Sequence, residues 1–136
     1  MSAKRPEVLF LCVHNAGRSQ MAAALLSRHA GDQVVVHSAG SAPGETLNPA
    51  VVAAMAEWGI DICAERPKKL TDDMAKNADV IVTMGCGDAC PVYADKLYLD
   101  WELPDPAGKP VNEVRLIRDD IDARVRALIA TLVPDR

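Results

Sequence analysis

An α/β fold, a single domain over residues 1–136 with a four-stranded parallel sheet and helices on both faces, is what this sequence predicts. Three observations carry the prediction. Residues 7–12 are an apolar run too short for a helix and without the alternation of a half-exposed strand, which is how a strand buried on both faces reads. Strand-like and helix-like patterns then alternate along the chain, as parallel strands joined by crossover helices require. The residues able to do chemistry gather in segments that follow strands, where open α/β sheets bind ligands.

The elements follow in order. After the first strand, residues 19–30 read as a helix with Met21, Leu25 and Leu26 on one face and Gly31 just beyond its end. Val34-Val35-Val36-His37-Ser38 is β-branched and strand-like, and a loop rich in Gly, Ser and Pro follows it over 39–47. Asn48-Pro49 starts a helix, with asparagine as cap and proline in the first turn. Its inner face is expected at Val52, Met55 and Ala56, and Gly59 closes it. Thr71-Asp72-Asp73 is another helix start, with acids where the helix dipole favours them. Residues 79–84 give the third strand and 96–99 a short fourth. A final helix is expected to be capped by Asn112, to bury Ile117, Ile121, Val125, Leu128 and Leu132, and to end at Pro134.

Bulk properties narrow the function. A net charge of −4 argues against a nucleic-acid or acidic-membrane partner, so an anionic ligand has to be held by local groups. The apolar run at residues 8–13 is too short to span a membrane or serve as a secretory signal. Cytoplasmic residence is the expectation, and there the four cysteines, Cys12, Cys63, Cys86 and Cys90, are catalytic or metal-binding sooner than structural staples. A structural zinc needs four ligands; Cys86 and Cys90 supply two and no Cys-His cluster completes the set, so no metal or other cofactor is expected.

The segment from Cys12 to Ser19 runs from a strand into a helix N-terminus. Backbone N–H groups of Val13, His14, Asn15, Ala16 and Gly17 can point at one anion there. Gly17 allows an unusual backbone angle before Arg18, whose planar fork can grip two oxygens at once. Positive surroundings favour the thiolate of Cys12. Asn15 braces the loop and Ser19 donates to the sulfur. His14 reads as a polar surface residue. A thiol, a fixed cation and a ring of amides suit a tetrahedral oxyanion.

The run Cys12-Val13-His14-Asn15-Ala16-Gly17-Arg18-Ser19-Gln20-Met21-Ala22 closely resembles the signature of low-molecular-weight phosphotyrosine phosphatases and of the arsenate reductases built on their fold. Ser38-Ala39-Gly40, Asn48-Pro49 and Asp105-Pro106-Ala107-Gly108-Lys109 match as well, and these favour the reductase branch. The resemblance covers nearly the whole chain and implies that fold. It makes Asp105, in a Trp-x3-Asp-Pro loop that could otherwise be a turn starter, the acid that protonates the leaving oxygen. Asp100 and Asp119 lack the match and read as surface acids.

A phosphatase needs Cys12, Arg18 and Asp105. Reducing arsenate needs two electrons besides, hence more thiols, and Gly85-Cys86-Gly87-Asp88-Ala89-Cys90-Pro91 offers two. The resemblance implies a relay in which Cys86 attacks Cys12, arsenite departs, and Cys90 moves the disulfide to Cys86–Cys90, with thioredoxin as the reductant. Arsenic detoxification follows as the role, with phosphate and sulfate as competing anions. The second and third cysteines stand closer together than in the best-known thioredoxin-coupled reductases, which resembles actinobacterial enzymes. A mycothiol and mycoredoxin couple is therefore the alternative electron source. Ala23 stands where those reductases carry an acidic residue of a potassium site, so potassium is not expected. Two other readings remain: a phosphotyrosine phosphatase whose cysteine pair protects or regulates, and a non-catalytic anion-binding redox sensor. Cys63 reads as a semi-buried bystander and Trp58 as a packing residue on a helix. Tyr98 belongs to a strand, and Tyr93 packs beside Cys90.

Overall fold

The computed structural model describes residues 5–84 and 96–133. Four strands, β1 (Glu7–Cys12), β2 (Val35–Gly40), β3 (Val80–Thr83) and β4 (Leu97–Asp100), form one parallel sheet in the order β2-β1-β3-β4. Helices α1 (Arg18–Ala30), α2 (Pro49–Ala56), α3 (Asp72–Asn77) and α4 (Val111–Leu132) connect and cover it. Among the described residues no helix is long and apolar enough to cross a membrane.

The position of β1 explains its uninterrupted apolar sequence. It pairs on both sides, Val8 with Val36 of β2 and with Val80 of β3. Val8, Phe10 and Cys12 face the larger core, built with Met21, Leu25 and Leu26 of α1, Val51 and Met55 of α2, and Ile117, Ile121 and Val125 of α4. Leu9 and Leu11 face a smaller core with Ala75 of α3, Ala78 and Ile81. Among the described residues, helices therefore lie on both faces, three against one.

Several expected details shift. The final helix is entered from Pro110, not capped by Asn112: Asn112 already lies inside α4, and no side chain caps it. Proline has no N–H to leave unpaired at a helix start. That helix stops at Leu132, and Pro134 lies outside the described residues. Asn48 does cap α2, its side chain accepting the Ala50 N–H at 2.9 Å. The buried face of α2 is Val51, Ala54 and Met55, whereas Val52 is half-buried and Ala56 exposed. Eight residues give too few turns for spacing alone to fix which stripe faces the core.

Candidate active site

β1 delivers Cys12 to the carboxyl edge of the sheet, where a five-residue turn leads into α1 at Arg18. Segment 41–48 wraps this turn and ties its carbonyls outward. The carbonyls of Cys12, Val13, His14 and Ala16 accept the N–H groups of Ser41, Ala42, Gly44 and Asn48 at 3.2, 2.9, 2.9 and 2.9 Å. With the oxygens held outside, the amides between them turn to the inner side, the geometry of an anion nest. Gly40 makes the close approach possible: a Cβ on it would lie 2.6 Å from the Val13 carbonyl oxygen. The left-handed backbone in the turn belongs to Asn15, with φ 52°, while Gly17, at φ −144° and ψ −86°, has the unusual angles expected of it, outside both the helical and the extended regions.

The sulfur of Cys12 is buried and acts as a hydrogen-bond acceptor. The Asn15 N–H donates to Sγ at 3.2 Å, and Ser19 Oγ lies 2.8 Å from it. Asn15 Nδ2 donates to Ser19 Oγ at 2.6 Å, which occupies the hydroxyl oxygen and leaves the Ser19 proton to point at the sulfur. Two donors thus converge on one sulfur. Asn15 is itself fixed. Its Oδ1 accepts the Lys68 N–H at 2.8 Å and Gln20 Nε2 at 3.1 Å.

Arg18 is 7% exposed and reaches across to the segment after β4. Its Nη1 donates to the Leu103 carbonyl at 3.3 Å, and Nη2 stands 3.9 Å from Asp105 Oδ2. Asp105 Oδ1 accepts the Ala107 N–H at 3.0 Å, the turn expected of an Asp-Pro pair, while Oδ2 stays on the Arg18 side. Turn chemistry and a proton-donor role are thus compatible for the same carboxyl. Trp101 anchors the start of this segment, its N–H bonded to the Thr83 carbonyl and its ring 5.7 Å from that of Phe10.

A cavity of about 350 Å³ collects Cys12, Arg18 and Asp105, with His14, Asn48 and Pro106 in its wall. His14 is exposed at its rim. A larger cavity, about 530 Å³, lies beside Arg28, His37 and Lys68 and contains no thiol. Among the described residues no three His, Cys, Asp or Glu side chains converge as a metal site.

The structure therefore brings Cys12, His14, Ala16, Gly17, Arg18 and Asp105 to one cavity, with Asn15 and Ser19 bonded to the Cys12 sulfur and Val13 packed against the smaller core. Cys86, Cys90 and Tyr93 lie outside the described residues. Cys63 is exposed, not semi-buried, and its N–H donates to Asp61 Oδ1 at 2.9 Å. Trp58 lies beyond the end of α2, not on it, and packs against the Arg118 guanidinium at 3.9 Å. Sequence reasoning overlooked Gln20, 2% exposed, which bonds both the Asn15 carbonyl and the Arg66 carbonyl at 3.2 Å. A polar residue on an otherwise apolar helix face was the available signal.

Comparison with known proteins adds a second line. The family model for low molecular weight phosphotyrosine protein phosphatase matches residues 7–136. A putative arsenate reductase of Halobacterium salinarum is 36% identical over 132 residues, covering 93% of this chain and 92% of its own. The thioredoxin-dependent arsenate reductase of Corynebacterium glutamicum superposes with a TM-score of 0.83 at 46% identity, over 98% of this chain and 64% of that one. A low-molecular-weight protein tyrosine phosphatase of T. tengcongensis gives a TM-score of 0.82 at 27% identity, over 93% and 99%.

Proposed function

The chain belongs to the low molecular weight phosphotyrosine protein phosphatase family, and from that premise we propose that it is an arsenate reductase working through a Cys12, Cys86 and Cys90 relay. The carrying observation is the buried Cys12 sulfur, held by two donors on the floor of a cavity that also contains Arg18 and Asp105. That arrangement serves attack on a tetrahedral oxyanion. The names of its relatives point to arsenic, and the second and third thiols supply what reduction requires.

Cys12 thiolate attacks the arsenic of arsenate while the anion loop and Arg18 hold the remaining oxygens. Asp105 gives its proton to the departing oxygen, which leaves as water. Cys86 then attacks Cys12 Sγ. The sulfur–arsenic bond breaks with its electron pair going to arsenic, arsenite is released, and a Cys12–Cys86 disulfide remains. Cys90 attacks Cys86, frees the Cys12 thiolate and leaves a Cys86–Cys90 disulfide. Thioredoxin, a dithiol, restores the pair by exchange. The sum is arsenate plus dithiol giving arsenite, water and disulfide. Met84, two residues before Cys86, supports the reach: its N–H bonds the Leu11 carbonyl at 2.7 Å, next to Cys12. The need for reduced thiols places the reaction in the cytoplasm.

A phosphatase reading shares Cys12, Arg18 and Asp105, so aryl phosphate hydrolysis does not separate the two. Cys86→Ser does. It is expected to abolish multiple-turnover arsenate reduction while sparing any hydrolysis of p-nitrophenyl phosphate. Equal arsenate turnover in wild type and variant ends the relay. Supplying thioredoxin in one arm and mycothiol with mycoredoxin in another identifies the electron source; turnover with neither leaves the sensor reading.

A further inference from the structure

Gly17 carries no side chain into a very narrow space. A Cβ built on it lies 2.7 Å from Pro106 Cγ, 3.4 Å from Val51 Cγ2 and 3.7 Å from Pro106 Cδ. Carbon atoms in favourable contact sit about 3.5–4.0 Å apart, so the proline ring occupies the volume that a side chain at position 17 requires. Pro106 directly follows Asp105, and the two rest on opposite sides of one junction: ring on Gly17, carboxyl beside Arg18.

We propose that Gly17 and Pro106 form a seat, in which the bare glycine admits the proline ring and the seated ring holds the Asp105 carboxyl over the anion loop. Both are positioning residues for proton delivery to the leaving oxygen, and the proposal rests on Asp105 being the proton donor. The tethers of the acid segment show why a seat is needed. Trp101 fixes its start and the Arg18 bond to the Leu103 carbonyl fixes the approach. Beyond that, the Asp105 side chain is half exposed, and its closest cation is 3.9 Å away. The Ala107 N–H on Oδ1 and the Lys109 N–H on the Pro106 carbonyl, both 3.0 Å, shape the turn internally but do not attach it to anything. The proline ring on Gly17 supplies the attachment. Misplacing a reacting group by about 1 Å costs on the order of a hundredfold in rate.

The test uses Gly17→Ala, Pro106→Ala and the double variant in the full chain, with two kinds of readout. Amide hydrogen exchange at Ala107 and Lys109 reports the seating of the turn whatever the activity. Arsenate kcat, with phosphate inhibition as the measure of anion binding, reports its consequence. Gly17→Ala should speed exchange at both amides and lower kcat about a hundredfold. Pro106→Ala empties the seat without a clash and should lower kcat about tenfold, the low end of what a lost proton donor costs being larger still. Adding Gly17→Ala to Pro106→Ala should then do nothing more, because the new methyl fills the vacated space. This non-additivity is the signature of the contact. Unchanged exchange in both single variants overturns the seat. So does a Gly17→Ala defect that persists in full in the double variant, since it would belong to the anion loop's own backbone. Should Gly17→Ala fail to fold, Pro106→Ala still decides: wild-type exchange and kcat there overturn the proposal. Wild type inactive on arsenate and on aryl phosphate overturns the functional reading instead, and exchange alone then decides the seat.

Discussion

Gln20 shows how much of the thiol's setting depends on one amide outside the cavity that holds it. Its Nε2 has two hydrogens and faces three oxygens: the Asn15 carbonyl, Asn15 Oδ1 and the Arg66 carbonyl. Those bonds hold Asn15 in its left-handed conformation, and that conformation aims the Asn15 N–H at Cys12. Leucine at position 20 keeps the bulk and strips the donors: the buried Asn15 carbonyl loses its bond from Gln20, while Asn15 Oδ1 keeps the Lys68 N–H and the Arg66 carbonyl keeps Lys68 Nζ. Gln20→Leu should cost about 2 kcal/mol of stability, and it should slow arsenate turnover as well. Thermal denaturation beside steady-state kinetics checks this; a lowered Tm with unchanged kcat would show that Gln20 braces the fold and not the thiol. Cys63 behaves oppositely. It is exposed, yet the Asp61 carboxylate pushes its thiol pKa up, by hydrogen bonding first and by charge second. A negative neighbour favours the neutral thiol, so removing it raises the thiolate fraction. Asp61→Asn should therefore speed iodoacetamide labelling of Cys63 in mildly alkaline buffer, measured by mass spectrometry; a slower rate would contradict the assignment.

Between elements, the contact of α2 with α4 carries a carboxyl held far from its ordinary pKa. Arg118 is 6% exposed and bonds the Ala54 carbonyl at 2.8 Å and Glu57 at 2.9 Å, while Arg115 grips Glu57 at 2.6 Å. The hydrogen bonds of Arg115, then those of Arg118, hold the Glu57 carboxyl at about 2, below its ordinary 4.5. A depressed carboxyl contributes stability that is present above the unfolded value and is lost as pH falls through the folded one. The Tm gap between wild type and Glu57→Gln should thus be full at neutral pH and shrink as pH drops from 4.5 towards 2. A gap that stays constant across that range would mean the latch works through shape and not charge. This contact also marks where sequence reading stopped. The apolar stripe of α4 was legible because 22 residues repeat it several times. Glu57, Arg115 and Arg118 were not singled out in the sequence, because their meeting depends on how two helices cross, and no local pattern carries that.

Across the whole molecule, the parallel sheet was legible because each strand's apolar run has only one use in an alternating chain. The anion loop was legible because its chemistry is local, eight consecutive residues running from the end of β1 into the first turn of α1. What joins distant segments was not: Pro106 on Gly17, Lys68 on Asn15 and Arg18 on Leu103 are contacts between parts of the chain brought together only by the finished fold. The sheet order has a further consequence for electron flow. β1 and β3 are neighbours, so the chain leaving β3 at Met84 starts beside Cys12, while β4 on the far side of β3 carries the acid segment. In the proposed relay the proton donor, Asp105, thus comes after β4 in the chain and the attacking thiol, Cys86, after β3. An ordered relay then predicts an ordered trap. In Cys90→Ser the last exchange is blocked, so a single turnover with arsenate should leave a Cys12–Cys86 disulfide and one equivalent of arsenite, then stop. Non-reducing peptide mapping after acid quench reads the linkage directly. A Cys12–Cys63 linkage, or continued turnover, would break the proposed sequence. In Cys86→Ser no disulfide to Cys12 should form and no arsenite should appear, because nothing remains to break the sulfur–arsenic bond from the sulfur side.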